Sequence, residues 1–265
     1  LIDPDNQRLQ YYLGIALLTE QQYSDAIVEF RQAYSAFSTS AEANYNLGLA
    51  YYQSGDPDNA LFYFEIAEDL GALDQPDTFP LVNAYYNLGA AYLEQEADAE
   101  ALKLFQKTLA IAPERTEIYR IIGDIHTRNG ATSLAVEAYN AYLASYPSDS
   151  ETLEALFTLY YNSGLQTLET NDLEQARRSF EQARCILPES PLAIYYVAYI
   201  DYSEGLIEDA SKKLQQVFSI TQDKEIRQNV ASLLYNCSIK LLKQRKPRQA
   251  LEALYPLTTQ EPTDI

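Results

Sequence analysis

The chain has 265 residues and a formal net charge of −19, from 19 Lys and Arg against 38 Asp and Glu. It is 47% hydrophobic with only 9 Gly and 11 Pro, a composition that argues against a disordered or collagen-like chain. Apolar runs stay well short of the roughly 18 residues that cross a bilayer, so direct membrane insertion is not expected. Such an acidic surface repels a phosphate backbone, and no nucleic-acid partner is expected.

The N-terminal stretch LIDPDNQ has no secretory signal and indicates a fragment of a longer chain. Cys185 and Cys237 are the only cysteines, and they suit neither a disulfide framework nor a metal site. We expect both to be buried as small hydrophobic residues with free thiols. The compartment stays open, with the cytoplasmic and the periplasmic side both allowed.

A glycine recurs inside apolar, helix-forming stretches, where it costs about 1 kcal/mol relative to alanine. The spacing is 34 residues from Gly14 to Gly48 and again from Gly89 to Gly123, and 41 residues from Gly48 to Gly89 and from Gly123 to Gly164. Seven extra residues make about two helical turns and return the chain to the same face. An alanine follows twelve residues after each glycine, and an aromatic four residues later: Ala26, Ala60, Ala101, Ala135 and Ala176, then Phe30, Phe64, Phe105, Tyr139 and Phe180.

This pattern resembles the tetratricopeptide repeat family, whose unit is two antiparallel helices in 34 residues. The resemblance covers seven repeats, at 7–40, 41–74, 82–115, 116–149, 157–190, 191–224 and 231–264. Repeats 6 and 7 depart from the pattern, because Ala198 and Ser238 replace the glycine. The resemblance implies an all-α protein of fourteen main helices, a right-handed α-solenoid in which residues 1–265 form a single domain.

Three insertions separate the repeats. SETLEAL at 150–156 and KEIRQNV at 224–230 have helical composition and are expected to lengthen the first helices of repeats 5 and 7, making them the longest. QPDTFPL at 75–81 holds two prolines and is expected to be a loop that leads into a helix. The glycines are expected to let the two helices of a repeat approach closely, since burying each neighbouring aromatic or leucine is worth about 1.5–3 kcal/mol.

Residues that could carry catalysis are scarce. His126 is the only histidine, and it lies at a core register where other repeats have Leu17, Tyr51 and Tyr92. Metal-ligand clusters and a phosphate-binding glycine loop are absent from the sequence. We therefore expect no enzyme activity and no cofactor. Asp201 falls at the same core register, and we expect a cationic or hydroxyl partner beside it, because an unpaired buried carboxylate is costly.

In the family that this sequence resembles, positions 5, 9 and 12 of each repeat face a concave groove. Position 5 is arginine in repeat 4 (Arg120) and tyrosine in the other six: Tyr11, Tyr45, Tyr86, Tyr161, Tyr195 and Tyr235. Two interpretations stay open, namely packing between neighbouring first helices and an aromatic surface that binds a partner.

The densest groove aromatics lie in repeats 5 to 7, where we expect the affinity centre. The candidate partner-binding residues there are Tyr161, Leu165, Leu192, Tyr195, Tyr199, Tyr202, Tyr235 and Ile239. Tyr199 and Tyr202 are expected to touch the partner more than the core. The asparagines at position 6, which can pair with an extended peptide backbone, are Asn46, Asn87, Asn162 and Asn236. Arg120 and Arg128 of repeat 4 are expected to read an acidic or carboxyl feature of the partner.

The sequence therefore predicts a non-catalytic protein–protein interaction scaffold with a partner peptide or helix in its concave groove. Two alternatives stay open: a regulatory or substrate-recruiting arm of a larger enzyme, and a self-association module. The basic run KLLKQRKPR at 240–248 is expected to be a solvated helix end, with contact to an acidic partner or a following segment as the alternative.

Overall fold

The computed structural model describes residues 4–72 and 81–258, and within these ranges it contains fourteen α-helices and no strand. The predicted helix count and all-α class are therefore confirmed. The chain divides into two compact units, unit 1 (residues 1–130) and unit 2 (residues 131–265). Most of the loop predicted at 75–81 lies outside the described residues, and Leu81 is the first residue of a helix.

Unit 1 is built from helical hairpins. Its helices are α1 (Pro4–Thr19), α2 (Tyr23–Phe37), α3 (Ala41–Gln53), α4 (Pro57–Asp69), α5 (Leu81–Glu94), α6 (Asp98–Ile111) and α7 (Ile118–Arg128). The first six pair in chain order as α1–α2, α3–α4 and α5–α6, and the second helix of each pair also contacts the helix that follows it. The hairpins therefore stack in chain order.

Unit 2 repeats this arrangement. Its helices are α8 (Thr132–Ser145), α9 (Ser150–Glu169), α10 (Leu173–Ile186), α11 (Pro191–Ser203), α12 (Ile207–Ile220), α13 (Lys224–Lys243) and α14 (Pro247–Thr258). The pairs are α9–α10, α11–α12 and α13–α14, and α8, α10 and α12 each contact the next helix along the chain. The predicted lengthening is confirmed, because α9 and α13 have 20 residues each and are the longest described helices.

The recurring glycines mark a close approach between paired helices. A Cβ atom built on Gly14, Gly48 or Gly164 would lie 2.7 Å from the ring of Phe30, Phe64 or Phe180, the aromatic at position 24 of the same repeat. The corresponding distance from Gly89 to Phe105 is 3.1 Å. Real Cβ atoms essentially never come within 3.0 Å of another group, and 3.1 Å is tighter than most Cβ contacts, so the packing interpretation of these four glycines is confirmed.

Each repeat turns between its helices through one left-handed residue at position 15. The seven residues with positive φ at this position are Gln21, Gly55, Glu96, Gly130, Asn171, Gly205 and Arg245. Their φ values lie between 59° and 86°. The turn conformation is thus shared by all repeats, although only three of the seven residues are glycine.

The two cysteines are free, as predicted, but their surroundings differ. Cys237 is buried in the core between α12 and α13, and burial raises the pKa of its thiol to about 11. Cys185 is exposed, so the expectation that both are buried is wrong. The buried residues of α10 are Ala176, Ser179, Phe180 and Ala183, and Cys185 falls off this face near the end of the helix.

Candidate functional site

Positions 5, 9 and 12 of repeats 5, 6 and 7 lie on α9, α11 and α13 and form one face on each helix. We call these residues the unit 2 stripe. They are Tyr161, Leu165 and Leu168, then Tyr195, Tyr199 and Tyr202, then Tyr235, Ile239 and Leu242. Three of the nine are exposed: Tyr199 (39%), Tyr235 (58%) and Leu242 (55%). The other six are half-buried, and Leu192 on α11 is exposed beside them.

The part of the stripe on α9 is anchored in the core. The ring of Tyr161 packs edge-on against Phe180 and Tyr196, with centroids 5.8 and 5.7 Å apart. Tyr196 in turn stacks on Phe180 at 4.8 Å, and Leu165 and Leu168 pack against the same cluster. This end of the stripe supports its neighbours more than it offers free surface.

The part on α11 combines one exposed and two supported tyrosines. Tyr195 and Tyr202 both pack against the core formed by α11, α12 and α13. The Lys240 ammonium lies 3.6 Å from the centroid of the Tyr202 ring and donates a hydrogen bond to the Tyr202 carbonyl at 3.3 Å. The expectation that Tyr202 touches a partner more than the core therefore needs correction, whereas Tyr199 has the exposure that was expected of it.

Two of the stripe tyrosines, Tyr161 and Tyr195, stay neutral well into the alkaline range. Burial raises the pKa of Tyr161 and of Tyr195 above the ordinary value, and neighbouring tyrosines raise it further. Their hydroxyl groups are therefore hydrogen-bond donors at neutral pH.

In unit 1, two of the three tyrosines at the same register position lie in the core, and Tyr86 is half-buried. Tyr11 and Tyr45 are only 6% and 9% exposed, so their expected position in a groove is wrong. Tyr11 stacks on Phe37 at 4.5 Å and accepts a hydrogen bond from the Asn46 amide at 3.1 Å. Burial is the main cause that raises the pKa of Tyr11 to about 12.

The asparagine and arginine candidates differ in availability. Asn87, Asn162 and Asn236 are exposed, whereas Asn46 is half-buried and donates its amide to Tyr11. Arg128 makes two hydrogen bonds to the carboxylate of Asp98, at 2.7 and 3.1 Å. Arg120 is half-buried and is also engaged within the protein. A partner carboxylate would have to compete for both arginines, so their predicted role stays a prediction.

Asp201 has the cationic partner that its burial requires. It is 2% exposed, and its two carboxylate oxygens pair with Lys213 of α12 at 2.6 Å and with Arg177 of α10 at 2.7 Å. Arg177 also pairs with Glu204 at 2.9 Å. The prediction is confirmed, although the sequence did not indicate that the two cations come from different helices on either side of α11.

The basic run at 240–248 is largely engaged within unit 2. Lys240 covers Tyr202, Lys246 pairs with Glu208, and Arg248 pairs with Glu252 at 3.3 Å. His126 is half-buried on α7. In the described part of the chain, no group of three or more His, Cys, Asp and Glu side chains could hold a metal ion. None of the described helices is long and apolar enough to cross a membrane.

Comparison with known proteins agrees with this architecture. Two family models, both described as tetratricopeptide repeat, match residues 39–114 and 112–150. The chain is a tetratricopeptide repeat protein. The two matches cover repeats 2 to 4; outside them, repeats 1 and 5 have the same packed glycine, and all four remaining repeats have the same turn.

Curated relatives are similar over parts of their length. This tetratricopeptide repeat protein is 31% identical over 103 residues to the photosystem I assembly protein Ycf3 of Cyanophora paradoxa, across 38% of this chain and 60% of that one. It is 27% identical over 135 residues to the protein O-mannosyl-transferase TMTC1 of Mus musculus, across 51% of this chain and 14% of that one. The chain thus spans less than two thirds of the length of each.

A solved structure of Naa15/Naa10 bound to HypK-THB shares the fold. Its similarity covers 96% of this chain and 37% of that one, with 18% sequence identity and a TM-score of 0.51. At this identity the likeness shows the helical-repeat fold alone.

Proposed function

We propose that this chain is a non-catalytic scaffold that binds a peptide or helix of a partner protein, and that the unit 2 stripe is its binding surface. The tetratricopeptide repeat fold supports a role in protein interaction. The observation that carries the finer proposal is the exposure of Tyr199, Tyr235 and Leu242 on one face of adjacent first helices. Exposed apolar patches commonly meet a partner, and tyrosine is enriched among residues that dominate binding energy.

The stripe residues divide into contacts and supports. Tyr199, Tyr235, Leu242 and the adjacent Leu192 offer the exposed area for contact. Four half-buried members, Tyr161, Leu165, Tyr195 and Tyr202, pack against the core and support the contacts, and Ile239 is half-buried beside Tyr235 on α13. The exposed amides of Asn162 and Asn236 can hydrogen-bond a peptide backbone that lies over the stripe.

The decisive experiment compares exposed tyrosines inside and outside the stripe. A partner is first identified by affinity capture and mass spectrometry and is then purified, so that its Kd can be measured for each variant. We expect Tyr199→Ala and Tyr235→Ala each to weaken binding about thirtyfold, which corresponds to about 2 kcal/mol for a hot-spot residue. The matched control is Tyr255→Ala, because Tyr255 is 66% exposed on α14 and lies outside the stripe.

The control is expected to keep wild-type affinity. Retention of full affinity by both stripe variants would show that the stripe is packing only, and the proposed site would be wrong. Equal losses in all three variants would also contradict it, because the effect would not be specific to the stripe.

The transferase relative favours one alternative, a regulatory or substrate-recruiting arm of a larger enzyme. In that case Tyr199→Ala in the full-length protein raises KM for the recruited substrate and leaves kcat unchanged. Self-association through the stripe is the other alternative. Light scattering tests it, since the stripe variants would then form particles of lower mass than the wild-type protein does.

A further inference from the structure

The unit 2 stripe is bordered by residues that are also uncharged. Positions 2 and 6 of the same three helices hold Thr158, Asn162, Leu192, Tyr196, Ser232 and Asn236. Neither these positions nor the stripe contains Lys, Arg, Asp or Glu, although 22% of the chain is charged. The Lys240 ammonium, which lies over the Tyr202 ring, is a charged group that contacts this face. In a protein with a net charge of −19, a face with so few charges suits an uncharged ligand.

We propose that the partner segment on the unit 2 stripe is an uncharged, proline-rich stretch in the polyproline II conformation. This inference rests on the proposed function and names the chemistry of its ligand. Tyrosine-rich surfaces suit such segments, because aromatic rings pack on the flat faces of proline rings and the extended conformation is already formed before binding.

The repeat spacing fits this conformation. α11 and α13 contact each other directly, and packed helices lie about 8–10 Å apart. A polyproline II segment has three residues per turn and rises about 3.1 Å per residue, so one turn spans about 9 Å. A segment that crosses the first helices therefore places an equivalent residue over each helix in turn, over Tyr199 on α11 and over Tyr235 on α13.

The hydrogen-bonding groups of the surface also fit. Tyr199 and Tyr235 present exposed phenol groups, and Asn162 and Asn236 present exposed amides, all of which can donate. A polyproline II backbone makes no internal hydrogen bonds, and its carbonyl groups are free to accept. A helical ligand would pair its carbonyl groups within its own helix, so the phenol and amide donors of the stripe would have no backbone carbonyl to bind.

The probe for the test is an acetylated, amidated decaproline peptide with a fluorescent label, titrated with the whole chain and followed by anisotropy. We expect binding that Tyr199→Ala and Tyr235→Ala each weaken at least about tenfold, and that Tyr255→Ala leaves unchanged. Affinity should change less than about twofold when NaCl is raised severalfold, because no charge pair is screened. A peptide of the same length with alternate prolines replaced by alanine should bind more weakly.

Three outcomes would overturn the inference: no decaproline binding, equal losses in the Tyr255→Ala control, or tighter binding of an uncharged amphipathic helical peptide to the same tyrosines. The same measurements separate failure of this inference from failure of the proposed function. If the purified partner depends on Tyr199 and Tyr235 but decaproline does not bind, only the ligand chemistry is wrong. If neither the partner nor decaproline responds to the stripe variants, the proposed site itself is wrong.

Discussion

At one repeat position, Tyr11 and Tyr45 of unit 1 are buried, Tyr86, Tyr161 and Tyr195 are half-buried, and Tyr235 of unit 2 is exposed. Tyr11 and Tyr45 are 6% and 9% exposed, whereas Tyr235 is 58% exposed. In unit 1 each tyrosine lies beside the aromatic at position 24 of its own repeat: Tyr11 is 5.8 Å from Phe30, and Tyr45 is 5.6 Å from Phe64. Repeat 7 has Leu254 at that position and offers no ring. Tyr86 and Tyr161 also lie 5.8 Å from the ring at position 24 and are half-buried, so a ring across the hairpin limits the exposure of the tyrosine without burying it in every repeat.

The residue at position 24 also accounts for the missing glycines at position 8 of repeats 6 and 7. Repeats with phenylalanine at position 24 have glycine at position 8, because a Cβ there would meet the ring. Repeats 6 and 7 pair Ala198 with Leu214 and Ser238 with Leu254. A smaller residue on one helix thus goes with a larger one on its partner, which keeps the packed volume similar.

Carboxylates in the two units also have different hydrogen-bond and ion-pair partners. Residues 1–130 have 20 acidic and 7 basic residues, whereas residues 131–265 have 18 and 12. In unit 1, tyrosine hydroxyls donate to carboxylates: Tyr85 to Glu68 at 2.6 Å and Tyr92 to Asp58 at 2.5 Å. In unit 2, Asp201 uses two cations instead. Glu68 also pairs with Lys107 and Asp58 is exposed, so in unit 1 the tyrosine hydroxyls add to the cation and solvent contacts of these carboxylates.

The largest effect is expected from truncating the same register position in each unit. Tyr11→Ala should lower the free energy of unfolding by about 3–5 kcal/mol, because it empties a buried aromatic site. Tyr235→Ala should change it by less than about 0.5 kcal/mol, since the ring is exposed. Urea unfolding followed by circular dichroism measures both. Equal losses would show that Tyr235 is as much a core residue as Tyr11, and the comparison of the units would be wrong.

The next effect concerns Asp201. Asp201→Ala leaves Arg177 and Lys213 without their shared carboxylate, and loss of one partner of a buried charge pair costs about 3–5 kcal/mol. We expect the lower end of this range, because both cations are about one quarter exposed and can be hydrated. Tyr92→Phe in unit 1 is the matched control, with an expected cost of about 0.5–1.5 kcal/mol for one hydrogen bond.

Thermal or urea unfolding of the two variants separates them. If Asp201→Ala costs no more than Tyr92→Phe, the pairing of Asp201 contributes little, and a functional explanation for this buried carboxylate gains weight.

A smaller effect tests whether the residue sizes at positions 8 and 24 are matched to each other. Gly164→Ala alone should cost about 1–3 kcal/mol, because its Cβ would lie 2.7 Å from Phe180. Adding Phe180→Leu copies the pairing of repeat 6 into repeat 5. The double variant should therefore be at least about 1 kcal/mol more stable than the sum of the single effects predicts. Strict additivity would mean that the glycine and the ring do not determine each other.

The sequence predicted the helix count from the repeat pattern and the two long helices from the helical composition of the insertions at 150–156 and 224–230. The glycine contacts followed from the same regularity. What it could not predict are features that depend on one neighbour from another helix. The burial of Tyr11 depends on Phe37, and the pairing of Asp201 depends on Arg177 and Lys213. The sequence did contain one signal for the burial of Tyr11: position 24 is Phe30 in repeat 1 but Leu254 in repeat 7.

The smallest expected effect lies in the turns at position 15. Glu96 in unit 1 and Arg245 in unit 2 have φ near 60°, a conformation that costs an L-residue roughly 1–2 kcal/mol. Glycine removes this cost but adds about 0.5–1 kcal/mol of unfolded-state entropy, so Glu96→Gly and Arg245→Gly should each stabilise the protein by up to about 1 kcal/mol. Gly55→Ala and Gly205→Ala should do the reverse. Gln106→Gly, at an exposed position inside α6, is the control and should cost about 1 kcal/mol. Melting temperatures test this prediction: if Glu96→Gly lowers the melting temperature as much as Gln106→Gly does, the turn stores no strain, and the seven positive φ angles carry no energetic meaning.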